Sequence, residues 1–406
     1  MDCAIGRFGV SLSVGLFALA GCESSVATPP NPQSAALTAP KKDVSPAYGV
    51  IYNFKGPPKD GAQPISSLHE VGGKLYGTTY VGGASNDGSI FAVNPGGSRA
   101  ALYSLSGSSD GGSPKAGLAV VGNSLYGTAS QGGANKDGSV FMLSSSSGQP
   151  VAVHSFAGYD GATPVASLHY ESSNNTLYGT TEYGGTYNLG TVFEITPSGS
   201  ETVLHNFKGG ASDGYSPLSD LTISGGALYG TTEWGGAHNR GTVYAVSASG
   251  QETVVYSFGK TPTDGKFPRA GLAAIGDALY GTTYQGGTDN KGTVFKIASG
   301  KETVIHSFSG SDGEYPVATV IGVNGLLYGT ASAGGPHGSG TVFRMTTSGQ
   351  NVTVLHSFPN FSTDGRVPAR SLTFFHGMLY GTTKTGGKGT CPFPGGGCGT
   401  VFALSP

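Results

Sequence analysis

The sequence predicts an all-β fold, and its composition and a long internal repeat support this. Of the 406 residues, 71 are Gly and 23 are Pro, while only 11% are charged. This much Gly and Pro disfavours long helices. The hydrophobic fraction of 37% can still bury a core, which argues against disorder. Gly falls well short of one third of the residues, which excludes collagen. The net charge of −2 argues against nucleic acid as a partner.

The first 21 residues have the pattern of a lipoprotein signal peptide. Arg7 is followed by an uncharged run over residues 8–20, which is too short to span a bilayer as a helix. The run ends in the sequence LAGC, which resembles the lipobox of bacterial lipoproteins, where the chain is cut before the Cys and acylated on it. We therefore predict lipidation of Cys22 and anchoring in the bacterial cell envelope, on its periplasmic or extracellular face. A plain secretory signal is the alternative.

Residues 22–47 predict a flexible tether that begins at the lipidated Cys. The segment is rich in Pro and in small polar residues. Such a composition cannot bury enough apolar surface to order itself. The folded domain is therefore predicted to comprise residues 48–406.

Within that domain a unit marked by three short signatures repeats seven times, at intervals of 48 to 52 residues. The third signature, GGxxxxG[TS][VI][FY], follows LYGT in six copies and is expanded in the last. The tetrapeptide LYGT begins at Leu75, Leu125, Leu177, Leu228, Leu279, Leu327 and Leu379. The pattern DGxxP begins at Asp60, Asp110, Asp160, Asp213, Asp264, Asp312 and Asp364.

Each unit contains four short runs typical of strands, separated by clusters of Gly, Asn and Asp. The runs are PxAxL, LYGTT, GTVFxI and ETVLHSF, which we place in this order from the axis to the rim. Four strands in a period of this length predict the blade of a β-propeller, and seven units predict seven blades. An open solenoid is the alternative, but it would need polar caps at its ends.

The two ends of the domain predict how the ring closes. Residues 48–54 match the fourth strand of a unit, whereas residues 402–404 match the third. The N-terminal strand should therefore complete the seventh blade and remove an open sheet edge.

The combination of DGxxP, LYGTTxxGG and GTVFxI resembles the GloVer (Gloeo_Verruco) tandem-repeat family of exported bacterial proteins. The resemblance extends over residues 48–406. It implies a repeat fold and an exterior location, and it implies no activity and no catalytic residues.

Three groups of residues invite chemical roles that we interpret as structural. The Asp of DGxxP can form a tight turn with the following Gly. The spacing of Cys391 and Cys398 in a Gly- and Pro-rich loop predicts a local disulfide, because zinc partners are missing. We expect no metal and no cofactor. One position of the ETVLHSF strand is either His or Tyr in every repeat, which is expected for an aromatic side chain that packs against its neighbours and has one polar tip. The residues are Tyr52, Tyr103, His154, His205, Tyr256, His306 and His356.

In a symmetric scaffold we expect the functional residues at positions where the repeats differ. The two residues that follow GT[TA] vary most between the repeats. This pair should lie at one mouth of the central channel. Our first hypothesis is a non-catalytic propeller that binds a glycan or a cell-surface protein there. The alternatives are a glycan hydrolase or lyase that uses Glu182 and Glu233, and a structural envelope protein without a small ligand. The candidate residues are Tyr80, Glu182, Tyr183, Glu233, Trp234 and Tyr284.

Overall fold

The computed structural model describes residues 47–144, 148–360, 363–394 and 396–406. These residues form seven antiparallel sheets and no helix, arranged as a seven-bladed β-propeller, so the predicted fold is confirmed. The predicted signal peptide, Cys22 and all of the tether but its last residue lie outside the described residues. Among the residues described there is no helix with the length and apolar character needed to span a bilayer.

Each blade contains four strands that follow one another from the channel to the rim, and we number the blades along the chain. Blade 1 contains His69–Val71, Lys74–Thr79, Ser89–Val93 and Arg99–Ser104; blade 2 contains Ala119–Val121, Ser124–Ala129, Ser139–Ser144 and Pro150–Ser155; blade 3 contains His169–Glu171, Thr176–Thr181, Thr191–Ile195 and Glu201–Asn206. Blade 4 contains Thr222–Ser224, Ala227–Thr232, Thr242–Val246 and Glu252–Ser257; blade 5 contains Ala273–Ile275, Ala278–Thr283, Thr293–Ala298 and Lys301–Ser307; blade 6 contains Ile321–Val323, Leu326–Ala331, Thr341–Thr346 and Thr353–Ser357. Blade 7 contains Thr373–Phe375, Met378–Gly386, Thr400–Leu404 and the N-terminal strand Tyr48–Asn53.

Short two-stranded ladders join the connection between blades to the loop after the second strand. They are Gly61–Ala62 with Val81–Gly82, Gly214–Tyr215 with Trp234–Gly235, and Gly265–Lys266 with Gln285–Gly286. In blade 7 the equivalent strand, Gly365–Pro368, pairs directly with the long second strand.

The assignment of PxAxL to the innermost strand needs a correction. The paired inner strand of blade 1 begins at His69, after the PxAxL segment that starts at Pro64. Pro has no N–H to donate to a ladder. The segment is instead tied to the second strand through a side chain, because the backbone N–H of Thr78 donates to the hydroxyl of Ser66 at 2.8 Å. The PxAxL segment therefore lines the channel without forming a regular strand.

The N-terminal strand closes the ring as predicted. Tyr48 is paired with Leu404, and Asn53 is paired with Thr400. Beyond the strand ends, the backbone N–H of Ser405 donates to the carbonyl of Ala47, at 3.1 Å. Both ends of the domain are thereby joined in one sheet.

Aromatic rings on facing strands of neighbouring blades make up much of the core. Phe156 of blade 2 meets Phe193 of blade 3 edge to face, with ring centroids 5.2 Å apart. Phe54 and Phe91 make the same contact across the closure, at 4.9 Å. The Gly of LYGT leaves room for this ring, because a Cβ on Gly77 would lie 2.7 Å from Phe91.

The first Thr of LYGTT connects each blade to the next around the channel. Its hydroxyl donates to a backbone carbonyl in the PxAxL segment of the following blade. The final bond, from Thr382 to Ser66, spans the closure at 2.9 Å. The donors are Thr78, Thr128, Thr180, Thr231, Thr282, Thr330 and Thr382.

Candidate functional site

The loop after the second strand and the DGxxP connection lie on the same face of the propeller. Tyr183 forms a bridge with Ala162, and Trp234 pairs with Tyr215. The same pairing recurs in the other blades, for example between Gln285 and Lys266. We call this surface the DG face.

A cavity of about 350 Å³ lies on the DG face at the channel, and we call it the cup. Four cationic side chains line it, those of Lys115, Arg269, Arg370 and Lys384. Glu182 is the carboxylate in the lining, and the remaining lining residues are apolar. The cup is therefore basic, although the chain as a whole carries a net charge of −2.

Arg370 lies half-buried in the wall of the cup, and its side chain reaches across the channel. It stands in the PxAxL segment of blade 7, where the other blades have Ser or Ala. Its guanidinium donates to the carbonyls of Ile65, Lys115 and Val165, at 3.0, 2.7 and 3.4 Å. Burial lowers the pKa of Arg370, while Asp220 opposes this shift. One residue of blade 7 thus ties together blades 1, 2 and 3.

Three of the predicted site residues are held by neighbouring side chains. Glu233 is only 8% exposed, and its Oε1 accepts hydrogen bonds from Arg269 at 2.6 and 2.8 Å. The guanidinium of Arg269 also lies 3.9 Å from the ring centre of Tyr284. The ring of Trp234 packs against Phe267, with centroids 4.6 Å apart. The charge of Glu233 is therefore balanced by Arg269.

The other predicted residues are more accessible. Tyr183 is 47% exposed beside the cup, and its hydrogen bond with Glu182 raises the pKa of its phenol. The ammonium of Lys115 lies 5.8 Å from the ring centre of Tyr80. Burial lowers the pKa of Lys115; Glu182 opposes this shift, and Arg370 is among the charges that add to it.

Sequence reasoning missed the cationic character of this surface. The residue after Pro in PxAxL is apolar in five blades but is Lys115 in blade 2 and Arg269 in blade 5. Arg370 breaks the small-residue pattern at the next position. Comparing the repeats at these channel-lining positions could have found all three.

The Asp of DGxxP lies at the junction between two blades and is bonded to the chain on both sides. Asp60 accepts hydrogen bonds from the backbone of Lys55 and Gly61 and from the hydroxyl of Tyr52. In blade 6 the equivalent partner is a His, with His306 Nε2 at 2.7 Å from Asp312 Oδ2. Burial would raise the pKa of Asp312, but the bonds from His306 and Ser309 outweigh it and lower the pKa to about 2.

The predicted disulfide between Cys391 and Cys398 is present, with Cα atoms 5.2 Å apart. Both residues are buried in a cluster with Phe54, the residue after the N-terminal strand. The expanded loop of blade 7 is therefore fixed beside the ring closure.

The fold and the repeats define a tandem-repeat β-propeller protein. The profile of the Gloeobacter/Verrucomicrobia repeat family matches residues 40–230 and 211–402. The chain therefore belongs to this family, as its motifs indicated.

Solved structures similar to this chain are also propellers. The extracellular domain of a hybrid two-component system from B. thetaiotaomicron is 14% identical, with a TM-score of 0.57 over 89% of this chain. The present chain covers only 41% of that protein. An oligogalacturonate lyase from Vibrio parahaemolyticus is 10% identical, with a TM-score of 0.51 over 89% of this chain and 97% of the lyase. These similarities show a shared fold. A search among curated proteins found no match.

Proposed function

We propose that the protein is a non-catalytic binding propeller that holds an acidic glycan at the cup. The observation that carries this proposal is the convergence of four cations with one carboxylate in a cavity of about 350 Å³. Lys and Arg form charge-assisted hydrogen bonds with carboxylate or sulfate groups. A small cavity of this charge suits the acidic end or branch of a sugar chain.

Aromatic side chains around the cup favour a sugar as the ligand. Tyr183 presents an exposed ring beside Glu182. The ring face of Tyr284 makes a cation–π contact with the guanidinium of Arg269. Tyr and Trp combine an apolar body with a polar tip, and they are enriched at binding surfaces for this reason. The rings would contact the sugar faces while the cations bind the acidic groups.

The hydrolase or lyase alternative has less support. A carboxyl group that acts as general acid must hold a proton at working pH. Oε1 of Glu233 accepts two hydrogen bonds from the guanidinium of Arg269, so this ion pair already occupies the carboxylate that the alternative needs as a free catalytic group. The alternative requires two catalytic carboxyl groups, Glu182 and Glu233. With Glu233 held by Arg269, Glu182 has no second carboxyl group to act with.

The location that we propose is the bacterial cell envelope, with a lipid on Cys22 as the anchor. The disulfide supports export, because disulfides persist in oxidising compartments outside the cytosol. The lipobox-like LAGC sequence supports the lipid anchor.

The proposal is tested by titrating the purified protein with acidic and neutral oligosaccharides in a calorimeter. We expect binding of oligomers that contain uronic acid or sulfate, weakened by added salt, and no binding of neutral oligomers. Lys115→Ala with Lys384→Ala should weaken binding by about tenfold or more, because two charge-assisted bonds are lost.

The matched control is Lys74→Ala, at the start of a second strand and away from the DG face; it should leave affinity unchanged. Absence of binding to every acidic oligomer would favour the structural envelope alternative. Cleavage of an oligomer that is abolished by Glu182→Gln would establish the enzyme alternative instead.

A further inference from the structure

The ring contains seven equivalent junctions between neighbouring blades, and three side-chain positions define each junction. The first is the Asp of DGxxP, and the second is the His or Tyr of the preceding outer strand. The third comes from the start of the outer strand of the following blade, and it differs from junction to junction. In order from the closure it is Arg99, Pro150, Glu201, Glu252, Glu302, Val352 and Tyr48.

The third residue decides whether the junction is electrically balanced. Arg99 forms an ion pair with Asp60, at 3.1 Å. Tyr48 donates a hydrogen bond to Asp364. A Glu instead places a second carboxyl group beside the Asp, in a site partly removed from water.

Two junctions combine this carboxyl pair with an imidazole. Between blades 2 and 3 the group is His154, Asp160 and Glu201, and its potential ligand atoms lie within 4.8 Å of one another. The distance from His154 Nε2 to Asp160 Oδ2 is 3.1 Å.

Between blades 3 and 4 the same arrangement is formed by His205, Asp213 and Glu252, also within 4.8 Å. The distance from His205 Nε2 to Asp213 Oδ2 is 3.4 Å.

Buried polar atoms in both groups have no hydrogen-bond partner among the described residues. They are Oε1 of Glu201, Oε1 of Glu252 and Nε2 of His205; Oε1 of Glu302, at a junction without an imidazole, is unpartnered as well. Buried polar atoms in native proteins are nearly always bonded, so atoms left without a partner point to a missing one. A cation between the carboxylates would supply that partner and offset their mutual repulsion.

We propose that each of these two junctions binds one divalent transition-metal ion of the Zn²⁺ class. One imidazole nitrogen and two carboxylate oxygens are ligands that Zn²⁺ accepts, whereas Ca²⁺ takes oxygen ligands. Two ligands of one Zn²⁺ ion can be at most about 4.2 Å apart, given bonds of about 2.1 Å. Side-chain shifts below about 1 Å would close the group around the ion, and water would complete the coordination.

The position of the ligands implies that the metal ion would stabilise the contact between two blades. In the first group His154 belongs to the outer strand of blade 2 and Glu201 to that of blade 3, with Asp160 between them. Each ion would thus join the outer strands of two neighbouring blades at the rim.

Other junctions of the same chain provide matched controls. His306 and Asp312 have the same contact, but Val352 replaces the Glu. Tyr256, Asp264 and Glu302 keep both carboxyl groups but lack the imidazole. Each of these junctions lacks one ligand and should not bind the ion tightly.

The experiment is a calorimetric titration of tag-free protein, stripped with a chelator, with Zn²⁺. We expect two equivalents of Zn²⁺ per chain and a higher Tm in Zn²⁺ than in chelator. His154→Gln should remove one equivalent, His205→Gln the other, and the double variant both. His306→Gln should keep both equivalents and the full rise in Tm.

The proposal is wrong if the wild type shows no saturable binding of Zn²⁺, or if the double His variant still binds two equivalents. The Tm in chelator shows whether that variant is folded. If it is not, Glu201→Gln with Glu252→Gln replaces it, with Glu302→Gln as the control that should retain both equivalents.

Discussion

Single residues that depart from the repeat give this symmetric scaffold its individual features. Arg370 stands where other blades have Ser or Ala, and its guanidinium bonds to three blades. Asp220 also replaces a small or hydroxyl residue, and it accepts a hydrogen bond from the backbone N–H of Ser167, at 2.6 Å. Both substitutions place a charge at the channel, where polar groups of other blades compensate it.

Glu302 allows a prediction about pH. Burial raises its pKa from the ordinary 4.5 to about 7, and the charge of Asp264 adds to the shift. Between these values the folded protein holds the proton more strongly than the unfolded chain. This contribution to stability is therefore present below pH 4.5 and is lost as the pH rises through 7.

Glu302→Gln should abolish this decrease in the free energy of unfolding with rising pH, because Gln does not titrate. Relative to the wild type, the variant should gain about 1 kcal/mol in the free energy of unfolding from pH 5 to pH 8, allowing for partial solvent exposure. Denaturant unfolding in the presence of a chelator measures both values. Glu70→Gln, in the inner strand of blade 1, is the control and should show no such gain. Equal effects of Glu302→Gln at both pH values would contradict the prediction.

At the scale of elements, the expanded loop of blade 7 is the segment that departs most from the repeat. Its disulfide packs with Phe54, which follows the N-terminal strand. The backbone N–H of Gln63, in the connection to blade 1, donates to the carbonyl of Cys398 at 2.8 Å. The loop therefore supports the closure from outside the sheet.

Cys391→Ser with Cys398→Ser should lower the free energy of unfolding by about 2 to 3 kcal/mol, because the unfolded chain regains the freedom of the closed loop. Denaturant unfolding measures the loss. Reductant should destabilise the wild type by a similar amount and leave the double variant unchanged. Rapid thiol labelling of both Cys in native, unreduced protein would contradict the disulfide.

At the scale of the whole molecule, stability depends on closing the ring with a strand from the other end of the chain. Removal of residues 48–54 would expose the edge of Thr400–Leu404 and would remove Phe54, whose ring packs against Phe91. We expect a loss of several kcal/mol in the free energy of unfolding, because a whole strand of apolar contacts is removed.

A circular permutant provides the control for this deletion. Residues 47 and 405 are bonded to each other, so a short linker can join the present ends. New ends can be placed in the exposed segment Pro57–Lys59, which follows the N-terminal strand. The permutant keeps the sheet intact and should retain most of the stability. A deletion variant with the Tm of the wild type would show that closure is unimportant.

The sequence by itself determined the blades, their number, the closure and the disulfide. These features are local or repeated: four strand patterns recur in seven copies, and the two Cys are 7 residues apart. Periodic burial along a strand is visible in the order of the residues, and repetition makes the signal unmistakable.

Only the tertiary structure decided which of these side chains meet in the cup and at the junctions. Arg370 reaches the carbonyl of Ile65 across 305 positions of the chain, and Asp160 meets Glu201 from the next blade. Such contacts depend on how the ring places neighbouring blades, and a side chain's neighbours across that ring leave no periodic mark in the sequence. The six candidate residues were an incomplete description of the site for this reason, since the cations Lys115, Arg269 and Arg370 come from other segments of the ring.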